Sequence, residues 1–277
     1  MKKYLRFIKI EHTLFSLPLI YAGVLLATEK TPDIELLILV LTAAVGARIV
    51  AMSLNRIIDV KIDQKNIRTS SRELPAGRMK FLEAIVVTLL GLTVYAISAY
   101  LISKFCFYLS PIPLVIFLIY PYLKRFTRFA HFGVGLGLSM APLGGWFAVK
   151  GSFEDLHLGI LLPIFTIFWA TGFDIIYSTL DEEFDRKEGL YSLPSTIGTL
   201  KALKVSAILH FLAFVMLIII YIVLLRNISS LPFLIFSGYL LYLEQKKASD
   251  VELAFFKINA IIGFVVFLMV FMKGIKL

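Results

Sequence analysis

Residues 34–63, IELLILVLTAAVGARIVAMSLNRIIDVKID, begin as a long apolar run and end on Asn55, Asp59 and Asp63. At 1.5 Å rise per residue, about 20 apolar residues cross the roughly 30 Å hydrocarbon core of a bilayer as a helix. The acidic end then falls where the helix leaves the membrane. A second stretch repeats the plan, an apolar run closing on GFDIIYSTLDEEFDRKEG at 172–189, with Asp174, Asp181 and Asp185. Carboxylates gathered at two helix ends, with arginines and lysines beside them, suit divalent cations and a polyanion.

The rest of the chain fits a membrane setting. Its 277 residues are 59% hydrophobic and 17% charged, with mean hydropathy +0.86, a balance that excludes a water-soluble domain. Apolar runs near 12–28, 34–57, 81–102, 107–123, 131–150, 157–179, 201–225, 229–244 and 251–274 predict nine transmembrane helices in an all-α, polytopic bundle forming a single domain over 1–277. They lack the period-two alternation of a membrane β-barrel. The first span has no small-x-small cleavage site and reads as an anchor rather than a removed signal. Cys106, the single cysteine, could pair only between chains.

Net charge +9 points to a membrane surface rather than to nucleic acid, because of where the charges lie. With loops assigned alternately to the two sides, 21 of the 28 lysines and arginines fall on the side of the N-terminus and 6 on the other. By the positive-inside rule the protein sits in the cytoplasmic (inner) membrane with its N-terminus cytoplasmic and its C-terminus outside. Both acidic clusters then face the cytoplasm. The basic, amphipathic start, MKKYLRFIKIEH, is expected along that interface, and His12 beside Glu11 reads as an interfacial histidine without chemistry.

Two polar connections, 58–80 and 180–200, begin at the acidic clusters and continue in parallel, Arg68, Arg72 and Leu74-Pro75-Ala76-Gly77 in one, Arg186, Lys187 and Leu193-Pro194-Ser195 in the other. The parallel points to a distant duplication of a helix–loop–helix unit around a shared cavity, with the loops as cytoplasmic caps. On a continuous helix Asn55, Asp59 and Asp63 drift by about 40° per step and share one face, about 6 Å apart. Asp174, Asp181 and Asp185 do likewise. Such hard oxygen donors suit Mg²⁺, which takes one or two carboxylates and keeps its remaining positions for water and substrate phosphate oxygens. Ordinary solvated loop acids are the plain alternative for either cluster alone.

Arg48 and Asp174 lie about 10 Å deeper than their clusters. Intramembrane charges are costly, so they either line a polar pocket or pair for structure. Lys124, in YPYLKRFT at 120–127, is a candidate diphosphate ligand, and Arg68 and Arg72 compete for that role. The glycines at 133, 135, 137, 144 and 145 are expected to permit close helix packing.

With these residues in view, the chain resembles the UbiA-type intramembrane prenyltransferases. The resemblance rests on Asn-x3-Asp-x3-Asp at 55–63, RTSSRELPAG at 68–77, YPYLKRFT at 120–127 and the stretch from Asp174 through YSTLDEEFD to LPSTIG at 193–198. IEHTLFSLP at 10–18 and YSTLDEEFDRKEGLYSLP at 177–194 look most like bacterial 4-hydroxybenzoate polyprenyltransferases and their menaquinone-pathway relatives. The resemblance implies a helical bundle around a central cavity. It implies that Asn55, Asp59, Asp63, Asp181 and Asp185 bind Mg²⁺–diphosphate while Arg68, Arg72 and Lys124 neutralise the phosphates. It places Tyr120 near the allylic carbon, Arg48 at the carboxylate of an aromatic acceptor and Asp174 in the pocket. Arg56 stands where many relatives carry a second acid. The partners implied are a polyprenyl diphosphate, an aromatic acceptor and the bilayer, with no nucleic acid and no obligatory protein partner. Two other readings compete, a CDP-alcohol phosphotransferase, whose Asp-Gly-x2-Ala-Arg motif is missing, and an ion-coupled transporter, which would centre its polar residues at the midplane.

Overall fold

In the computed structural model, which describes residues 2–9, 13–28 and 30–274, the chain is helical, with no strand among the described residues. Glu11 and His12, read as interfacial, lie outside the described residues. Among the described residues, seven helices are long and apolar enough to cross a membrane: Ile34–Ile58, Phe81–Ile102, Lys104–Leu123, Ala130–Lys150, Leu156–Glu188, Thr199–Leu225 and Glu252–Gly274. Thr13–Ala27 and Leu231–Lys246 are apolar helices of 15 and 16 residues, short of the roughly 20 a straight span needs. Seven of the nine expected segments therefore reach membrane-spanning length. The chain divides into two compact units, Met1–Thr13 with Ile34–Tyr122, and Leu14–Asp33 with Leu123–Leu277.

Helices in lipid gain little from apolar burial against one another, so close backbone approach and hydrogen bonds must hold them. In the first unit Ile34–Ile58 packs on Phe81–Ile102 through a glycine pair. A Cβ on Gly46 would meet the Tyr95 nitrogen at 2.6 Å, and one on Gly91 would meet Ile49 Cγ2 at 2.5 Å. Beside this contact the Ser98 hydroxyl donates to Thr42 Oγ1 at 2.9 Å. The Lys2–Ile8 helix buries Phe7 and Ile8 against Leu74, Met79 and Ala84. Its polar side is fixed by Lys3–Glu83 at 2.6 Å and Arg6–Glu73 at 3.1 Å. The amphipathic start thus clamps the 66–80 connection.

In the second unit the Leu161–Ser178 helix is buried on almost every side, between Ala130–Lys150 and Thr199–Ile220. The glycine expectation holds at two positions. A Cβ on Gly135 would clash with Thr171 Oγ1 and with the Ile167 carbonyl at 2.7 Å, and one on Gly145 would crowd the Ile20 carbonyl on Thr13–Ala27. At Gly144 a Cβ meets nothing within 4 Å, so that residue plays no part in the close approach. Phe165 and Phe173 lie against Trp169 at centroid distances of 5.7 and 5.2 Å, and Tyr177 stacks on Phe255 at 4.3 Å.

A polar network runs through this core. The Trp169 indole N–H donates to Asn259 Oδ1 at 2.6 Å, and the Asn259 amide donates to Glu244 Oε1 at 2.8 Å and to the Ala254 and Phe255 carbonyls at 3.1 Å. Those carbonyls belong to a π-helical segment, Glu252–Ile258, whose widened turn alters the usual backbone pairing. Gln245 donates to His210 Nδ1 at 2.8 Å and to Ser206 Oγ at 2.7 Å, and Ser206 donates to the Gly172 carbonyl at 2.8 Å. The helix that carries Asp174 is thereby tied to three others.

Candidate active site

The first acidic cluster straddles a break between two helices. Ile34–Ile58 ends one residue before Asp59, and Val60–Lys65 begins one residue after it. Across the join the Asp59 N–H bonds the Asn55 carbonyl at 3.1 Å and the Asp63 N–H bonds the Asp59 carbonyl at 2.8 Å. These two i→i−4 bonds bridge the break, but Asp59 itself, at φ −93° and ψ 2°, leaves helical geometry, so the three residues do not lie on the one continuous helix the shared-face reading assumed. Asp59 and Asp63 are buried, at 3% and 4% exposure.

Arg72 Nη1 lies 2.8 and 2.7 Å from the two Asp63 carboxylate oxygens, and Arg56 Nη1 is 3.9 Å from Oδ2. The connection is shaped to bring Arg72 there. Asn66 accepts the Arg68 N–H on its side chain at 2.9 Å and the Ser70 N–H on its carbonyl at 2.7 Å, an Asx-type turn. The Thr69 hydroxyl donates to the Asp63 carbonyl at 3.1 Å, and buried Glu73 faces Arg6 and, at 3.6 Å, Arg78. Gly77 takes φ +69°, where a side chain would be strained. Arg48, Arg68 and Tyr120 belong to the same unit and are partly buried.

In the second unit the expected continuous helix is interrupted. Leu161–Ser178 carries Asp174, a 3₁₀ turn spans Thr179–Asp181, and Glu182–Glu188 carries Asp185. A 3₁₀ turn winds three residues rather than 3.6, so Asp181 departs from the register a straight helix would give it relative to Asp174. Ser192, Asp181, Lys124 and His131 lie around Asp185. Gly189, at φ +69°, ends the short helix, and the Leu190 N–H returns to the Asp185 carbonyl at 2.8 Å. The Tyr191 N–H bonds the Lys124 carbonyl at 2.7 Å. Lys124 is thus grouped with the second cluster, while Tyr120, four residues earlier, belongs to the first unit.

Asp174 is held by a residue the sequence did not single out. His131 Nδ1 is 2.7 Å from Asp174 Oδ2, and the Leu193 N–H donates to His131 Nε2 at 3.1 Å. The partner lies 43 positions away, so no local pattern marks it. Asn66, Glu73 and Ser192 were also missed, though the turn-forming habit of Asn and Ser was a usable signal at two of them.

Among the described residues no three His, Cys, Asp or Glu side chains gather as a metal cluster. The donor set still fits Mg²⁺, which is satisfied by one or two carboxylates with phosphate oxygens and water, rather than by an all-protein cage.

Comparison with known proteins gives concordant results. The sequence model of the UbiA prenyltransferase family matches residues 16–272. A 4-hydroxybenzoate octaprenyltransferase of Vibrio atlanticus is 27% identical over 186 residues, 67% of this chain and 65% of that protein. The chain spans 38% to 65% of the length of the first curated relatives it matches. Among solved structures, the apo UbiA homolog of Aeropyrum pernix K1 superposes with TM-score 0.85 at 31% identity, over 95% of this chain and 97% of that one. A UbiA homolog of Archaeoglobus fulgidus bound to GPP and Mg²⁺ shares the fold, with TM-score 0.75 at 18% identity over 98% and 99% of the two chains.

Proposed function

The chain belongs to the UbiA prenyltransferase family, and on that premise we propose that it transfers a polyprenyl group from polyprenyl diphosphate to a phenolic aromatic acid. The acceptor class is 4-hydroxybenzoate or a related hydroxynaphthoate, and the product enters ubiquinone or menaquinone synthesis. The observation that carries the reading is the Asn55–Asp59–Asp63 cluster with Arg72 on its last carboxylate. The second unit supplies its counterpart in Asp181 and Asp185. The positive-inside count supports a cytoplasmic N-terminus and cytoplasmic acidic clusters. Neither the phosphotransferase nor the transporter reading has comparable support.

Asn55, Asp59, Asp63, Asp181 and Asp185 are the oxygen donors we assign to Mg²⁺ and, through it, to the diphosphate. When bound, the metal supplies Lewis-acid stabilisation of the departing diphosphate. Arg68, Arg72 and Lys124 add fixed positive charge for the same oxygens. Arg72 can serve both partners, because a guanidinium has five N–H donors and the contacts to Asp63 use Nη1. The allylic C–O bond breaks with its electron pair leaving on the diphosphate, and aromatic faces, Tyr120 among them, shield the cation. A ring carbon ortho to the phenol then forms the C–C bond and loses its proton.

The test is an assay in liposomes with Mg²⁺, one polyprenyl diphosphate and a panel of phenols with and without a carboxylate. Diphosphate release with formation of a prenylated aromatic acid is expected; no release with any acceptor would remove the proposal. Arg48→Ala is expected to raise KM for carboxylate-bearing acceptors about 10-fold or more, the scale of a lost charge-assisted hydrogen bond. Equal losses for both acceptor classes would make Arg48 structural.

A further inference from the structure

His131 lies at the start of Ala130–Lys150, 4% exposed, and both its ring nitrogens are occupied. Nε2 accepts the Leu193 N–H, so the ring proton belongs on Nδ1, which donates to Asp174. Neither nitrogen is left to take a proton from a substrate. The imidazole is therefore a support, with the more accessible Asp174 in front of it, the side chains being 5% and 21% exposed.

The other side of the ring reaches the second acidic cluster. Leu193 opens Leu193–Ile197, a short helix capped by Ser192, whose Oγ accepts the Ser195 N–H and whose own N–H bonds Ser195 Oγ. Ser195 Oγ donates in turn to the Leu190 carbonyl at 3.0 Å, and the Leu190 N–H bonds the Asp185 carbonyl at 2.8 Å. A continuous line of contacts therefore runs from Asp174 through the imidazole and the 190–195 segment to the Asp185 backbone. We propose that His131 is a positioning residue that fixes Asp174 and, through Leu193 and the 190–195 segment it anchors, Asp185. With Asp174 taken to line the acceptor's part of the pocket, it sets the acceptor side and the diphosphate side of the reaction together. The kinetic half of this inference rests on the proposed prenyl transfer; the structural half does not.

The two hydrogen bonds can be removed separately. In His131→Asn the side-chain amide sits near the position of Nδ1 and can still donate to Asp174, but nothing reaches the Leu193 N–H. In His131→Gln the amide oxygen sits near the position of Nε2 and can accept from Leu193, while the donor to Asp174 is lost. Steady-state kinetics and amide hydrogen exchange on full-length protein in liposomes read the two sides. The Asn variant is expected to exchange about 10-fold faster across 190–195 and to lose about 10-fold in kcat, with acceptor KM nearly unchanged. The Gln variant is expected to keep that protection and raise acceptor KM about 10-fold instead.

Kinetic defects of the same form in both variants, or a His131→Ala protein with normal exchange across 190–195 and normal constants, would overturn the proposal. Unchanged exchange in Leu161–Ser178 verifies folding. Should the unmodified protein show no prenyl transfer, the assigned reaction fails, and exchange across 190–195 in the Asn, Gln and Ala variants decides the linkage alone.

Discussion

Asp59→Asn and Asp181→Asn are each expected to lower Mg²⁺-dependent diphosphate release about 100-fold or more while leaving the protein folded. Both changes are isosteric and keep one carbonyl oxygen, so packing is preserved and the negative charge is what goes. Asp59 is 3% exposed, and a buried carboxylate is costlier to desolvate than an amide; its removal should not unfold the first unit. Asp181 ends the Thr179–Asp181 turn and is partly exposed, so its loss is cheaper still. The effect should therefore appear in turnover and in the Mg²⁺ concentration needed for half-maximal rate, not in thermal stability. Chelation with EDTA should abolish release in the unmodified protein, and added Mg²⁺ should restore it. Near-normal turnover in either variant would remove that residue from the metal site.

The contrast between what the residues announced and what they hid follows sequence distance. The Asn55–Asp59–Asp63 stripe was legible because its geometry is local, two i→i−4 steps across one helix break. The apolar runs were legible because bilayer thickness sets their length. Gly135 and Gly145 could be expected from a glycine-rich helix, but Gly46 and Gly91 lie in different helices and only tertiary packing pairs them. The Arg72–Asp63 pair spans nine residues through an Asx turn, and the sequence offered both groups for a substrate rather than for each other. His131–Asp174 and Trp169–Asn259, separated by 43 and 90 positions, leave no local trace. The 3₁₀ turn at Thr179–Asp181 and the π-helical segment Glu252–Ile258 were invisible for a related reason, since both depart from the 3.6-residue period on which the helical reading depended.

Asn259→Leu is expected to destabilise the second unit by about 3 kcal/mol or more, because it orphans two buried polar groups at once and each costs about 1–3 kcal/mol. Trp169 and Glu244 are both fully buried, and Asn259 accepts from the first at 2.6 Å and donates to the second at 2.8 Å. Leucine fills the space but offers neither bond. The Ala254 and Phe255 carbonyls lose the same amide, so the π-helical segment should revert toward ordinary helix or loosen. In detergent this reads as a fall of about 10 °C in the midpoint of thermal unfolding. Glu244→Gln retains an acceptor for Asn259 and should cost much less. Adding Glu244→Leu to Asn259→Leu should recover part of the loss, because the stranded carboxylate goes with its former partner. If Asn259→Leu melts within about 2 °C of the unmodified protein, a scale set by roughly 1 kcal/mol or less, the network does not hold these helices together. Their packing would then rest on shape alone.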